Sequence, residues 1–288
     1  MEQINAKTKV CILIGDPVEH SFSPLIHNAG FQELGVNFVY VAFQVKSKDI
    51  GNAIKGIKAL NIRGASITLP HKVTAIEYMD RLDPVARKIG SINTIVNENG
   101  ELKGFSSDGM GALKALHDHK VELDGKNVLI LGSGGVARAI AFTLVMNTRL
   151  NRLSVLGIIK DEIEALVNNL QTVTETEVQG TVMEENILQK SMLSSHILIN
   201  CTPRGMYPKA EESPVPRDFL RKELLVFDVV YNPPKTKLLQ DAQSLGCDTI
   251  SGIEMFINQA VLQFELWTGV KAPEAVMKKV ILDHLSGA

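Results

Sequence analysis

Aromatic residues make up only 5% of this 288-residue chain, with one tryptophan, and cysteine is scarcer still at three. Cys11, Cys201 and Cys247 are odd in number and scattered, with no C-x-x-C pair and no Cys/His cluster. That argues against a disulfide framework and a structural zinc site, fits a reducing cytosol, and leaves no metal to be expected. Long hydrophobic runs are missing too; none approaches the roughly 20 residues of a membrane span. Charge of neither sign dominates: a net charge of −2 and a pI near 6.4 leave no electrostatic footprint for nucleic acid or an anionic membrane. Residues 1–15 hold an apolar stretch too short for a signal peptide, and it reads as a first strand. With 45% hydrophobic residues, the chain has enough apolar material for two cores. A cytoplasmic, globular protein of two domains is the expectation.

Strand-like and helix-like segments alternate along the chain, the rhythm of a mostly parallel α/β sheet. In the first part, strands are expected at 10–14, 38–45, 65–69 and 94–97, the last followed by the turn Glu98-Asn99-Gly100. Helices are expected at 24–34, 50–60 and 73–79, with a short one at 85–88. After a helix opening at Asp108-Gly109, further strands fall at 128–131, 153–156, 197–200, 225–229 and, weakly, 248–251. Helices lie near 161–170 and 235–245, and the chain is helical again from 254 to about 285. No internal repeat or low-complexity segment is present, and the proline-rich stretch 203–216 reads as a mobile connection.

The sharpest motif is VLILGSGGVARAIAFTLV at 128–145. An apolar strand runs into Gly132-Ser133-Gly134-Gly135-Val136-Ala137, and a helix of about four turns follows. This is the context in which G-x-G-x-x-G/A signals dinucleotide binding. Gly132 permits the tight turn, Gly134 lets a pyrophosphate approach the backbone, and Ala137 allows close helix–strand packing. The N–H groups at the helix start would hold the phosphates. Such a turn also serves a strand that merely needs a sharp exit.

Five other places could carry chemistry. In His20-Ser21-Phe22-Ser23-Pro24, Ser23 reads as an N-cap with Pro24 at N1; alternatively Ser21 and Ser23 direct two hydroxyls at a carboxylate near a helix N-terminus. Lys72, in ITLPHK, sits in a helix's first turn, where the dipole does not favour it, and is either a surface lysine or functional; His71 reads as its neighbour. Asn93 is a turn residue or a ligand donor, and Asp108, at the start of a helix, reads as an N-cap. Gln259 shares a helix face with Met255, Leu262 and Leu266 and therefore needs a hydrogen-bonding partner.

Together the segments HSFSP, ITLPHK, GSINTI, the Asp-Gly of SSDG, GSGGVAR, NCTPRGM, VVYNPPKTKLL and GIEMFINQA resemble the shikimate dehydrogenase (quinate/shikimate dehydrogenase) family along essentially the whole chain. The resemblance implies an α/β substrate domain (1–107), a Rossmann-type doubly wound parallel sheet binding NAD or NADP (108–252), and C-terminal helices (253–288) returning to the first domain. It implies reversible reduction of 3-dehydroshikimate to shikimate in aromatic amino acid (chorismate) biosynthesis, by a monomer or homodimer whose partner is a small-molecule substrate. Ser21 and Ser23 would bind the substrate carboxylate, Thr68, Asn93, Asp108 and Gln259 its ring hydroxyls, and Tyr231 would lie near nicotinamide and substrate. Lys72 and Asp108 would be the catalytic pair, with the cationic lysine protonating the nascent alkoxide, worth about 10²–10⁴ in rate. Cofactor contacts would come from Gly132, Ser133, Gly134, Gly135, Val136, Ala137, Lys160, Thr202, Val229, Gly252 and Met255.

Three departures from the family pattern stand out. Ser106-Ser107 replaces the usual Asn-Thr before the aspartate. Ser66 replaces an asparagine in the lysine motif, at a cost of about 0.5–1.5 kcal/mol if one neutral substrate hydrogen bond is lost. Gly157-Ile158-Ile159-Lys160 lacks both the Arg expected for an NADP 2′-phosphate and the acid expected for an NAD ribose; Lys160 is the nearby cation, and Arg138 is within reach. The rival expectations are a paralogue acting on quinate or another shikimate analogue, a non-catalytic binding protein of the same fold, and a folate-linked dehydrogenase of similar layout. The paired serines favour shikimate.

Overall fold

In the computed structural model, which describes residues 4–286, the chain forms two compact units. Residues up to Ser107 together with those from Gln259 make unit 1, and Asp108–Asn258 make unit 2. The second stretch of unit 1 begins at Gln259, inside a helix.

Unit 1 is built on a six-stranded sheet of order β2-β1-β3-β5-β6-β4. Its strands are β1 (Lys9–Gly15), β2 (Phe38–Gln44), β3 (Gly64–Ile67), β4 (Arg81–Leu82), β5 (Thr94–Glu98) and β6 (Glu101–Phe105). Helices α1 (Ser23–Glu33), α2 (Ile50–Ala59) and α3 (Pro84–Ile89) intervene. The sheet is mostly parallel, as expected, with β5 as the exception. β1 runs parallel to β2 and β3, and β4 to β6, but β5 is antiparallel to both β3 and β6. For the β5–β6 pair the cause is local: Asn99 and Gly100 both adopt positive φ (57° and 92°), the two-residue turn that matches hairpin twist. The helix expected at 73–79 is instead a 3₁₀ segment, Thr74–Tyr78. A core of Ile12, Ile14, Ile54, Ile57, Ile67 and Ile95, among others, fills the space between sheet and α2.

Unit 2 is a doubly wound parallel sheet of order β12-β11-β10-β7-β8-β9. Its strands are β7 (Asn127–Leu131), β8 (Arg152–Gly157), β9 (Glu177–Val182), β10 (Ile197–Asn200), β11 (Leu225–Asp228) and β12 (Asp248–Ser251). Helices α4 (Asp108–Asp118), α5 (Gly135–Asn147), α6 (Lys160–Gln171), α7 (Glu185–Ser194) and α8 (Lys237–Ser244) belong to this unit. The switch point lies between β7 and β10, where ligands of such sheets bind. α9 (Gly252–Thr268) begins in unit 2 and ends in unit 1, and α10 (Glu274–Ser286) follows. Among the described residues no helix is long and apolar enough to cross a membrane.

Candidate active site

Because β5 is antiparallel to β3, its first residue pairs with the last turn of β3 (Ser66↔Thr94) and with the end of β6 (Thr94↔Phe105). The residues just past β1 and β3, just before β5 and just after β6 therefore gather at one edge of the unit 1 sheet. Asn93 is buried there, and Ser107 meets it from across the hairpin. Asn93 Nδ2 donates to Ser107 Oγ at 2.9 Å and to Gln259 Oε1 at 3.4 Å, while Asn93 Oδ1 accepts from Ser107 N at 2.9 Å and Thr94 Oγ1 at 2.8 Å. Ser107 Oγ also lies 3.2 Å from the Gln259 carbonyl. These bonds satisfy buried polar groups that would otherwise cost stability. Ser106 Oγ, next door, is buried with no hydrogen-bond partner.

Gln259 does not act through the apolar face expected for it, since Leu262 and Leu266 are only half-buried. Its helix face continues instead through Gln263 and Trp267, at i+4 and i+8, which step along β5. Gln263 Nε2 donates to the Asn93 carbonyl and to Thr94 Oγ1, both at 3.0 Å, and Trp267 Nε1 donates to the Ile95 carbonyl at 3.0 Å. Gln263 is the site neighbour that sequence reasoning missed; its spacing from Gln259 was the available signal. Ser66, the departure in the lysine motif, is held in the same network: its Oγ donates to Gln263 Oε1 at 2.8 Å and accepts from the Tyr40 hydroxyl at 2.7 Å.

Thr68 follows β3, with its N–H donating to the Ile14 carbonyl at 2.9 Å. A turn closes from Thr68 to His71, whose buried ring places Nε2 2.6 Å from the Val45 carbonyl. That partner can only accept, so Nε2 carries the proton, and His71 is a fixed support beside Lys72. The Lys72 carbonyl accepts from Ile92 N at 2.9 Å, which pins the lysine beside the segment leading into Asn93. Lys72 thus stands in a turn ahead of a 3₁₀ segment, not in the first turn of an α-helix.

Ser21 and Ser23 follow β1. The N-cap expectation for Ser23 is corrected: Phe22 occupies the cap position without a side-chain bond, and Ser23 is the first residue of α1. Ser21 Oγ donates to Ser23 Oγ at 3.2 Å and accepts from Ser23 N at 3.3 Å. Ser23 Oγ is thus not consumed in capping α1, while Ser21 Oγ accepts from the first N–H of the helix, and the pair sits at a helix N-terminus.

In unit 2 the carboxyl ends of the strands carry the remaining candidates. Gly132 has φ +107°, which only glycine adopts without strain, and its N–H donates to the Leu156 carbonyl at 2.7 Å. Gly134 caps α5, Gly135 and Val136 open it half-exposed, Ser133 is buried, and Ala137 is buried against the sheet. A Cβ on Gly134 would project into open space, the cradle a pyrophosphate needs. The first intrahelical bond is Arg138 N to the Gly134 carbonyl, so the N–H groups of Gly135, Val136 and Ala137 have no acceptor inside the helix. These features fit a dinucleotide's diphosphate.

Asp108 is buried as the first residue of α4, and a Cβ on the neighbouring Gly109 would collide with Thr143 and the Ala139 carbonyl of α5. That close approach fixes Asp108 relative to α5. Thr202 follows β10 and gives both its N–H (3.0 Å) and its hydroxyl (2.7 Å) to Asn200 Oδ1. Asn200 Nδ2 in turn donates to Asp228 Oδ1 at 2.9 Å, and Thr236 Oγ1 donates to Asp228 Oδ2 at 2.6 Å. Burial pushes the Asp228 carboxyl up to about 6 despite these bonds. Val229 and Gly252 are brought together, since a Cβ on Gly252 would lie 2.5 Å from the Val229 and Val230 carbonyls. Met255 is buried in the first turn of α9, and Tyr231 stacks on Phe256 with centroids 4.3 Å apart. Lys160 lies apart from this group at the start of α6, exposed and 3.6 Å from Glu164.

A model of the shikimate dehydrogenase substrate binding domain matches residues 13–95, and one of the shikimate 5'-dehydrogenase C-terminal domain matches residues 252–282. A shikimate dehydrogenase (NADP(+)) of Moorella thermoacetica is 40% identical over 300 residues, covering all of this chain and 97% of its own length. This chain belongs to the shikimate dehydrogenase family. The crystal structure of a shikimate dehydrogenase in complex with NADP+ superposes with a TM-score of 0.89 at 39% identity, covering 98% of each chain. The shikimate 5-dehydrogenase of Listeria monocytogenes, solved in complex with shikimate and NAD, gives 0.86 at 35% identity over 98% of this chain and 99% of its own. The protein is accordingly an NAD(P)-dependent oxidoreductase of this family, with the family's Rossmann-type fold.

Proposed function

We propose that this chain reversibly reduces 3-dehydroshikimate to shikimate, with Lys72 and Asp108 as its catalytic pair. The observation that carries the reading is the sheet edge of unit 1, where the serine pair after β1, Thr68 and Lys72 after β3, and the buried carboxamides of Asn93 and Gln259 all assemble. Few small molecules call for such a set. A carboxylated ring with several hydroxyls is one: Ser21 and Ser23 donate to the carboxylate beside the α1 N-terminus. Thr68, Asn93 and Gln259 take the hydroxyls, and the partnerless Ser106 hydroxyl offers one further bond.

A nicotinamide dinucleotide, when bound along the glycine turn, supplies the hydride that reduces the ketone and accepts it in reverse. Reduction turns the carbonyl oxygen into an alkoxide, which needs a proton. Lys72 Nζ delivers that proton to the oxygen and, as a cation, lowers the energy of the charge that develops there. The Asp108 carboxylate accepts a hydrogen bond from a neighbouring substrate hydroxyl. Val229, Tyr231, Gly252 and Met255 line the cofactor side, with Thr202 beside them.

Initial rates with shikimate and with quinate, each with NADP+ and with NAD+, test the proposal. Faster oxidation of shikimate than of quinate is expected. No oxidation in any of the four mixtures would refute it, and faster turnover of quinate would move the assignment to that analogue.

A further inference from the structure

Unit 2 holds a carboxylate that none of the family motifs uses. Glu162, in the first turn of α6, accepts a hydrogen bond from Ser133 Oγ at 2.9 Å. Ser133 is the second residue of the glycine turn, and a Cβ built on Gly157 at the end of β8 would lie 3.2 Å from the same hydroxyl. The ends of β7 and β8 and the start of α6 therefore converge on one spot. In a doubly wound dinucleotide site the adenosine ribose lies just beyond the second strand, which here is β8.

The charges around that spot are mostly negative. Between 157 and 164 the chain carries Lys160 against Asp161, Glu162 and Glu164. Lys160 pairs with Glu164, and Arg138 places Nη2 3.4 Å from the Glu162 backbone carbonyl, so two cations stand against three carboxylates there. Ile158 and Ile159, 79% and 49% exposed, offer apolar surface to an adenine but nothing to a phosphate. One oxygen of Glu162 is occupied by Ser133, and the carboxylate keeps acceptor capacity for a hydroxyl.

We infer that Glu162 selects the cofactor, accepting the ribose 2′-hydroxyl of NAD and repelling the 2′-phosphate of NADP. The inference rests on reading the glycine turn as a dinucleotide site. It also sets this chain apart from relatives named for NADP(+). The acid absent from the strand end is supplied from the following helix.

Titration calorimetry of the full chain with NAD+ and with NADP+ tests this, comparing the natural protein with E162Q, whose amide oxygen still accepts from Ser133. The natural protein should bind NAD+ more tightly by about 10-fold or more, and 1 M salt should narrow the gap as the repulsion is screened. E162Q should bring the two affinities to within about 3-fold, chiefly by tightening NADP+. Equal or tighter binding of NADP+ by the natural protein, or an unchanged ratio in E162Q, overturns the inference and leaves the dinucleotide site standing. Failure of both dinucleotides to bind removes the site and the inference together.

Discussion

Replacing His27 with Phe should remove much of this protein's acid sensitivity. His27 lies on α1, fully buried, stacked on Tyr40 with centroids 4.6 Å apart and flanked by Trp267 at 5.1 Å. Both ring nitrogens are buried without a hydrogen-bond partner. Burial pushes the imidazole down to about 3, from 6.5. In the unfolded chain the ring takes a proton below about 6.5, while the folded state refuses it until about 3. Stability is thus fully present above the unfolded value and is lost as the pH falls. Between pH 7 and pH 5 the loss from this residue alone is about 2 kcal/mol. Phe keeps the ring stack and cannot be protonated. Urea unfolding at the two pH values, followed through the emission of Trp267, measures the effect, because the chain's single tryptophan sits in the same aromatic cluster and reports on unit 1. Asp228, in unit 2, titrates in the opposite sense over part of this range, but it is common to both proteins and drops out of the comparison. An equal loss of stability in the natural protein and His27→Phe would refute the reasoning.

Lys72→Ala should lower kcat by at least about 100-fold with KM within several-fold, as for a group that acts mainly in the transition state; steady-state rates would decide, and a near-normal kcat would take the lysine out of its role. Asp228 has the reverse linkage to His27. Its raised folded pKa means that its contribution is present below about 4 and is lost as the pH rises through about 6, on the order of 3 kcal/mol. Asp228→Asn should abolish that part of the slope in unfolding measured by circular dichroism between pH 4 and 7. Gly64→Ala would drive a Cβ into the Trp267 indole; a loss of about 1–3 kcal/mol and an altered Trp267 emission spectrum are expected, and unchanged fluorescence would contradict the packing.

The central parallel strands β7 and β10 were readable because they are buried on both faces and so appear as short apolar runs: VLIL and ILIN needed nothing but their neighbours. β6 and β9 were not, for opposite reasons. In ELKGF, Lys103 and Gly104 hide a strand whose existence depends on pairing with β5, although the Asn99-Gly100 turn announced it. EVQGTV is a sheet-edge strand with mostly exposed positions, so no hydrophobic pattern marks it. α7, Glu185–Ser194, buries only Leu188 and Met192 and left a similarly faint trace. At the site, the serine pair, lysine motif and glycine turn were visible as residue types next to strand ends. What each hydroxyl or amide bonds to was not: Ser23 looked like a cap, and Gln263 and Glu162 drew no reading of their own. Each of those assignments depends on a partner at least 29 residues away, or on a helix boundary displaced by one.

The β5–β6 hairpin works as a measuring device. Asn93 and Ser107 are joined by a ladder that counts residues in pairs, and Asp108 comes immediately after it. Removing one residue from either strand would hand Asn93 a different partner, turn alternate side chains to the opposite face, and start α4 one position out of step. The turn at Asn99-Gly100, at the far end of the ladder, is free of that constraint. Within these sixteen residues, 93–108, a change of length can be absorbed only at the turn, while the spacing from either strand to its end of the site is a fixed dimension.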